Sequence, residues 1–473
     1  MFAVLFCFGL KNQIGAGQLS EFFQLIRINT HVGVSESGLR KQLTRMEACI
    51  AAYQQQCESS ASPPMPDRTV AMDETFFRQL LILVMMDLPS GYILLEESAP
   101  DRGFDTWNTR ASARLKTLGL TVRHAISDRA KALIKLSVEG FGCVAGADLF
   151  HAQYELSHWL ALPLARATQQ AASQLDAARN ALQRQQAKPD ATPAAIHSLQ
   201  VTVGCAERTH QDCVAAQQAY QYHQQAISDI VHPFDPATGL PQDQATVLTA
   251  LQQESTALKT LSDERLIQDK KDRLQAFINQ QNDLSQHVGV WWLWINTLLE
   301  EAASEPAQQA WITHQLMPVV YWHYRWSQTR KKATRLLYRR AWGKALSAFQ
   351  QHTVTQQLSH EQISYWQQWC EDKVSHFERT SSAVEGRNGW LSQLYHNGRG
   401  LTASRLTALT VIHNYGTRRA DGSTPANRLF GQDFPDLFES LLEEMGPLPL
   451  PRKRRDQKKS NSLIQKDCPA LCG

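Results

Sequence analysis

Between residues 67 and 138 the apolar positions fall into short runs of strand length, separated by turn residues and two helical stretches. Residues 69–77, 80–87 and 92–97 carry the dense apolar side chains of three strands, the last two joined by a hairpin at Leu88-Pro-Ser-Gly91. Residues 107–118 switch to helical spacing, 121–127 form another strand-like run, and 130–138 are helical again. Three strands, a helix, a strand and a helix is the order of an α/β sheet with flanking helices.

The flanking regions have a different period. Upstream, Leu19, Phe22, Phe23, Ile26 and Ile28 share one face, Gly33-Val34-Ser35 supplies a turn, and Leu39, Leu43, Met46 and Ile50 recur at helical spacing. With Ser35 as N-cap, this fits a helix-turn-helix as well as an ordinary helical hairpin. In the former, Arg40, Lys41 and Arg45 lie on the helix that meets DNA. Pro63-Pro64-Met65-Pro66 marks a linker. Downstream, residues 161–370 hold almost no strand signal. Leu164, Ala171, Leu175, Ala178 and Leu182 form a coiled-coil seam, and the break at Lys188-Pro-Asp-Ala-Thr-Pro193 turns the chain into a second helix ending near Ile230. After a turn-rich segment at 233–241, helices run to about 303 and from 307 to about 351. A helix near 382 and the segment 401–415 resume the earlier character.

Composition changes this picture little. The 473 residues allow two or three domains, and the formal net charge is only +3, so only local clustering of charge can point to nucleic acid. Nine cysteines are scattered with no Cys-x-x-Cys pair, which indicates neither a zinc site nor a disulfide framework and fits a reducing cytoplasm. The apolar start, Met1 to Leu10, is too short to span a bilayer and lacks signal-peptide features. It reads as a buried helical turn, the stump of a longer amino-terminal region.

Three carboxylates carry the chemistry. Asp73 sits inside the apolar run Val70-Ala-Met-Asp73, Asp128 follows the run at 121–127, and Glu385 lies in Ser382-Ala-Val-Glu385 where a helix begins. Alone, Asp128 is an ordinary N-cap and Glu385 a helix-start charge, whereas an acid inside an apolar strand is costly without a partner or metal. Together they give an acid on a first strand, an acid at a later strand end and an acid on a distant helix. That is the order an RNase H-like core needs to hold two divalent ions, and hard oxygen ligands suit Mg²⁺ or Mn²⁺. Asp73 and Asp128 are 55 residues apart, but 257 separate Asp128 from Glu385, too many for a loop. The expected architecture is therefore an α/β RNase H-like core, a mixed sheet with flanking helices, interrupted by a large all-α insertion and preceded by a helical amino-terminal domain. Its parts are a DNA-binding region at 1–62, core at 67–160, insertion at 161–370, core at 371–450 and a basic tail at 451–473.

Residues 325–344 contain eight Lys or Arg and no acid. Lys331, Arg335 and Arg339 form one helical stripe with Lys332 and Arg340 beside it and Arg325 and Arg330 preceding it, an arrangement that neutralises backbone phosphates. Solvated helix faces usually mix signs, so the stripe points to DNA. Asp148, His151 and Glu155 share a helical face, the spacing of a hydrogen-bonded structural set more often than of a metal site. Trp291, Trp292, Trp294, Trp322 and Trp326 have core-packing spacings, with base stacking as the alternative role. No Gly-rich phosphate cradle is present, which leaves nucleotide hydrolysis without support.

The segments Met72-Asp-Glu-Thr-Phe-Phe77, Ser127-Asp-Arg-Ala-Lys-Ala-Leu133, Gly146-Ala-Asp-Leu-Phe-His-Ala-Gln-Tyr-Glu-Leu156 and Ser382-Ala-Val-Glu-Gly-Arg-Asn-Gly389 resemble bacterial insertion-sequence transposases of the DDE class. Leu406-Thr-Ala-Leu-Thr-Val-Ile-His-Asn414 through Arg428-Leu-Phe-Gly431 is similar to their carboxy-terminal part. The resemblance implies two Mg²⁺ ions held by Asp73, Asp128 and Glu385, and strand cleavage followed by strand transfer at element ends. It also implies double-stranded DNA as partner, at ends and target, held by a homodimer in a bacterial cytoplasm beside the nucleoid. Some families of this class place Tyr and Arg before the glutamate and Lys after it, where this chain has Glu378, Ser381 and Ser392. Phosphate and end-base contacts are then expected from Arg387 and Asn388. The competing readings are a decayed or domesticated relative that binds DNA without cutting it, and a simple RNase H-like nuclease.

Overall fold

Residues 1–302 and 305–451 are described in the computed structural model, and the basic tail at 452–473 lies outside them. They form two units. The first comprises Met1–Ser59, Leu394–Ile412 and the chain from Pro435. Its helices α1 (Ala16–Leu25) and α2 (Glu36–Ser59) bury Leu19, Phe23, Leu39, Met46 and Ile50, the apolar face expected from their spacing. Ser35 caps α2 by accepting from Gly38 N at 3.3 Å. The apolar start is helical and buries Phe2, Leu5, Phe6 and Leu10. Within this unit the buried Glu47 carboxylate is satisfied by Arg405 Nε at 2.5 Å and Ser404 Oγ at 2.9 Å.

The second unit spans Ser60–Gln393 and His413–Phe434. It holds a five-stranded mixed sheet of β1 (Asp67–Phe77), β2 (Leu80–Asp87), β3 (Tyr92–Ala99), β4 (Thr121–Ser127) and β5 (Val144–Ala147), in the order β3-β2-β1-β4-β5. β1, β2 and β3 pair antiparallel, and β4 and β5 continue the sheet parallel to β1. Val70, Ala71 and Met72 are wholly buried in the central strand, which explains the unbroken apolar run there. The β2–β3 turn closes with Gly91 at φ +73°, where a side chain is disfavoured, while Ser90 N donates to Asp87 Oδ2 at 3.1 Å. β5 was not apparent in the sequence pattern. Its Gly146 is a close-approach position, since a Cβ there would lie 2.6 Å from His124 Nε2 and 2.7 Å from His287 Cε1.

Helix α3 (Phe104–Leu118) packs Trp107, Ala111 and Leu115 inward and ends at Gly119 in the left-handed region. After β5 the chain is helical: α4 (Leu149–Leu156), α5 (Leu162–Gln186), α6 (Pro193–Ile230), α7 (Gln244–Glu264), α8 (Arg273–Glu301), α9 (Met317–Gln328), α10 (Lys332–Gln351) and α11 (His360–Val374), with shorter pieces between. α5 and α6 form the helical hairpin expected from the Leu/Ala seam, burying Leu164, Ala171 and Leu175. One aromatic-rich core unites the later helices, and Trp291, Trp294 and Trp322 belong to it. At its centre His232 Nε2 meets Tyr338 Oη at 3.0 Å and its Nδ1 meets Tyr321 Oη. The chain then returns to the sheet as α12 (Ser382–Leu394).

Candidate functional site

Sheet register brings three acids to one level. The β1–β4 ladder ends with Ala71 opposite Ile126, and two residues further on each strand lie Asp73 and Asp128. The β4–β5 ladder ends with Ser127 opposite Ala147, and one residue further lie Asp128 and Asp148. The carboxyl ends of parallel strands, where α/β sheets commonly bind ligands, therefore carry a row of carboxylates. Arg129, at φ +69°, follows Asp128 and pairs with Asp283 of α8, fixing the turn that presents Asp128.

Glu385 arrives from the first turn of α12. Asp148 anchors this helix. Its carboxylate caps α4 by accepting from Phe150 N at 2.9 Å, and it accepts from Ser381 N at 3.0 Å and from the Ser381 hydroxyl. Leu149 N also donates to Arg379 O at 3.2 Å. His151 completes the set, with Nδ1 donating to Asp148 Oδ2 at 2.7 Å and Nε2 lying 3.4 Å from Glu385 Oε1. Glu155, expected on the same face, instead pairs with Arg273 at 2.9 Å.

The electrostatics record the crowding. Burial, then the Glu385 charge and also that of Asp128, hold the Asp73 carboxyl up at about 7, against the opposing pull of the Glu74 amide and His151. The hydrogen bond to Asp148 pushes His151 up to about 9 despite desolvation, with Glu385 and Asp73 adding to it, so the ring is an imidazolium at neutral pH. Burial raises Asp148, but its bonds from His151, Ser381 and Phe150 outweigh it and hold the carboxyl below the usual range. Glu74 is raised by burial and is engaged by Trp107 Nε1 at 3.2 Å and by Arg102 at 3.6 Å.

The donor chemistry suits a hard divalent cation. Asn388 Nδ2 donates to Asp73 Oδ2 at 2.6 Å, while its buried Oδ1 has no hydrogen-bond donor, an oxygen left free beside the acids. Among the described residues no three His, Cys, Asp or Glu close around one point, so the acids sit within electrostatic reach of each other rather than as a preformed cage. Folded Asp73 keeps a proton that the unfolded chain sheds at about 3.9, so stability falls as pH rises from about 4 through 7. A cation that takes the proton's place relieves this repulsion. Mn²⁺ is therefore expected to raise Tm more at about pH 8 than at about pH 5.5, and Asp73→Asn to remove both effects. Scanning fluorimetry checks this: an equal shift at both pH values contradicts it.

The expected DNA contacts divide into two groups. Arg330, Lys331, Lys332, Arg335, Arg339 and Arg340 are exposed on and before α10, with Arg339 stacked over Trp326 at 5.6 Å. Arg40, Lys41 and Arg45 are exposed on α2, where Arg40 pairs with Glu36 and Arg45 donates to Glu444 O at 2.9 Å. Arg325, Arg387 and Asn388 are placed otherwise. Arg325 donates to Phe377 O at 2.9 Å and stacks on Tyr321, closing the helical core. Arg387 is 5% exposed and grips the buried Glu96 carboxylate of β3 at 2.6 and 2.7 Å, so it holds α12 on the sheet instead of reaching phosphate. Asn388 commits its Nδ2 to Asp73. Ser381 and Glu96 are positioning residues that sequence reasoning missed. Phe150 and Tyr154, both exposed on α4, stack on each other at 6.3 Å.

Residues 312–457 match the model of a family of unknown function, DUF6399. The match takes in the α10 stripe and Glu385 but neither Asp73 nor Asp128. No curated protein and no solved structure matches the chain. No described helix is long and apolar enough to cross a membrane.

Proposed function

We propose that this chain is a DDE-type transposase with an RNase H-like core, performing metal-dependent strand cleavage and strand transfer at insertion-sequence ends. The observation that carries the reading is that Asp128 and Glu385 lie within electrostatic reach of Asp73 where β1 and β4 run side by side. The strand order β3-β2-β1-β4-β5, with the first acid on the central strand, supports it as well. Asp73, Asp128 and Glu385 would hold the Mg²⁺ or Mn²⁺ ions between them. When bound, such a pair activates an attacking oxygen and stabilises a leaving one at a phosphodiester. The exposed cations of α10 follow the DNA backbone, and Asn388 orients the Asp73 carboxylate.

The test incubates the protein with supercoiled plasmid carrying the inverted repeats that flank the gene, with Mg²⁺, Mn²⁺ or chelator. Nicking at the repeat boundary and joining of the freed 3′ end to target DNA are expected with either ion. Nicking indifferent to the repeats, without joining, favours a simple nuclease. DNA binding without cleavage in any ion favours the decayed relative.

The stripe gives a separate prediction. Replacing Lys331, Arg335 and Arg339 by Glu together should weaken binding to unrelated duplexes equally and lower the log–log salt slope by about one unit per lost contact. Fluorescence anisotropy across a salt series measures it, and an unchanged slope with unchanged helicity shows the stripe faces only solvent.

A further inference from the structure

Glu385 returns to the sheet after a long helical excursion, and something must set its carboxylate against Asp73 and Asp128. The segment just before it is tied to Asp148, a residue 233 positions earlier in the chain, through both the backbone and the hydroxyl of Ser381. Asp148 directly follows β5 and continues the register of Asp128, so it belongs to the same sheet end as the other acids. Its side chain is 0% exposed and spends its oxygens on Phe150 N, Ser381 and His151. That leaves none for a metal. His151 spans from this buried anchor to the carboxylate of the third acid, touching Asp148 through Nδ1 at 2.7 Å and Glu385 Oε1 through Nε2 at 3.4 Å.

We infer that His151, backed by the buried Asp148 and Ser381, is a positioning residue that fixes the Glu385 carboxylate for cation binding. The inference rests on the metal-centre reading above. A ring held at one nitrogen by a buried carboxylate has a fixed plane, and its other nitrogen then restrains one Glu385 oxygen.

Calorimetric and electron-paramagnetic titration of Mn²⁺ into the full chain, without DNA, tests this apart from activity. His151→Phe keeps the ring shape but neither contact, and should weaken Mn²⁺ binding about tenfold or more. His151→Gln, whose amide nitrogen can reach where Nε2 lies, should recover part of that loss. Replacing His151 takes a partner from the buried Asp148 carboxylate, so both variants are expected to lower Tm, and Mn²⁺ binding is titrated well below the unfolding temperature of each. Mn²⁺ binding that Asp73→Asn abolishes but His151→Phe leaves unchanged or tightens overturns the role of His151 and leaves the metal centre standing. Wild-type protein that binds no Mn²⁺ overturns both.

Discussion

Replacing Asp73 by Asn, Asp128 by Asn or Glu385 by Gln, one at a time, should reduce Mg²⁺-dependent DNA cleavage by about a thousandfold or more. Losing one anionic ligand costs a metal-assisted transition state several kcal/mol, and each ~1.4 kcal/mol is tenfold in rate. The amides keep the shape of the acids, so DNA affinity and secondary structure should stay near wild type. Asp73→Asn should even raise Tm slightly without metal near neutral pH, because the carboxylate it removes is repelled by Glu385 and Asp128. Single-turnover cleavage of a labelled end substrate reads the effect. A Glu385→Gln variant with near-full cleavage removes Glu385 from the site. Glu378, the next acid in sequence, is a poor substitute, because it lies in the field of Arg325, Arg379 and Arg419.

The second large effect concerns stability. Arg387→Ala should lower the unfolding free energy by about 3–5 kcal/mol, the cost of leaving one partner of a buried ion pair uncompensated. Both guanidinium bonds to Glu96 are short, the carboxylate is 0% exposed, and the stacking of Arg387 on Trp390 at 4.6 Å is lost as well. The double replacement Glu96→Gln with Arg387→Met should recover much of the loss, since the buried charge goes with its partner. Urea denaturation compares the three proteins. Lost DNA affinity with an unchanged urea midpoint would instead return Arg387 to a phosphate-contact role.

The pair also marks where sequence reading reaches its limit. β1 to β4 and the three acids were legible because dense apolar runs, turn residues and an acid inside such a run are local signals. β5 was not, since Val144-Ala-Gly-Ala147 has small side chains and its glycine is required by the two histidines against it. Arg387 and Asn388 looked like surface residues because they sit between two glycines on a short polar helix. Their partners, Glu96 and Asp73, lie 291 and 315 residues earlier, and no spacing rule links such positions. The same holds for Asp148, whose place on a helical face with His151 was visible while its bond to Ser381 was not. The tryptophans followed their spacing: Trp291, Trp294 and Trp322 are core.

The account turns on Asp73, Asp128 and Glu385 forming one metal centre, and anomalous diffraction from crystals grown with Mn²⁺ tests that most directly. Two peaks about 3.5–4 Å apart are expected beside Asp73 of β1 and the carboxyl end of β4, touched by all three carboxylates. Density for Mn²⁺ that is absent there, or held by residues other than these three, would contradict it.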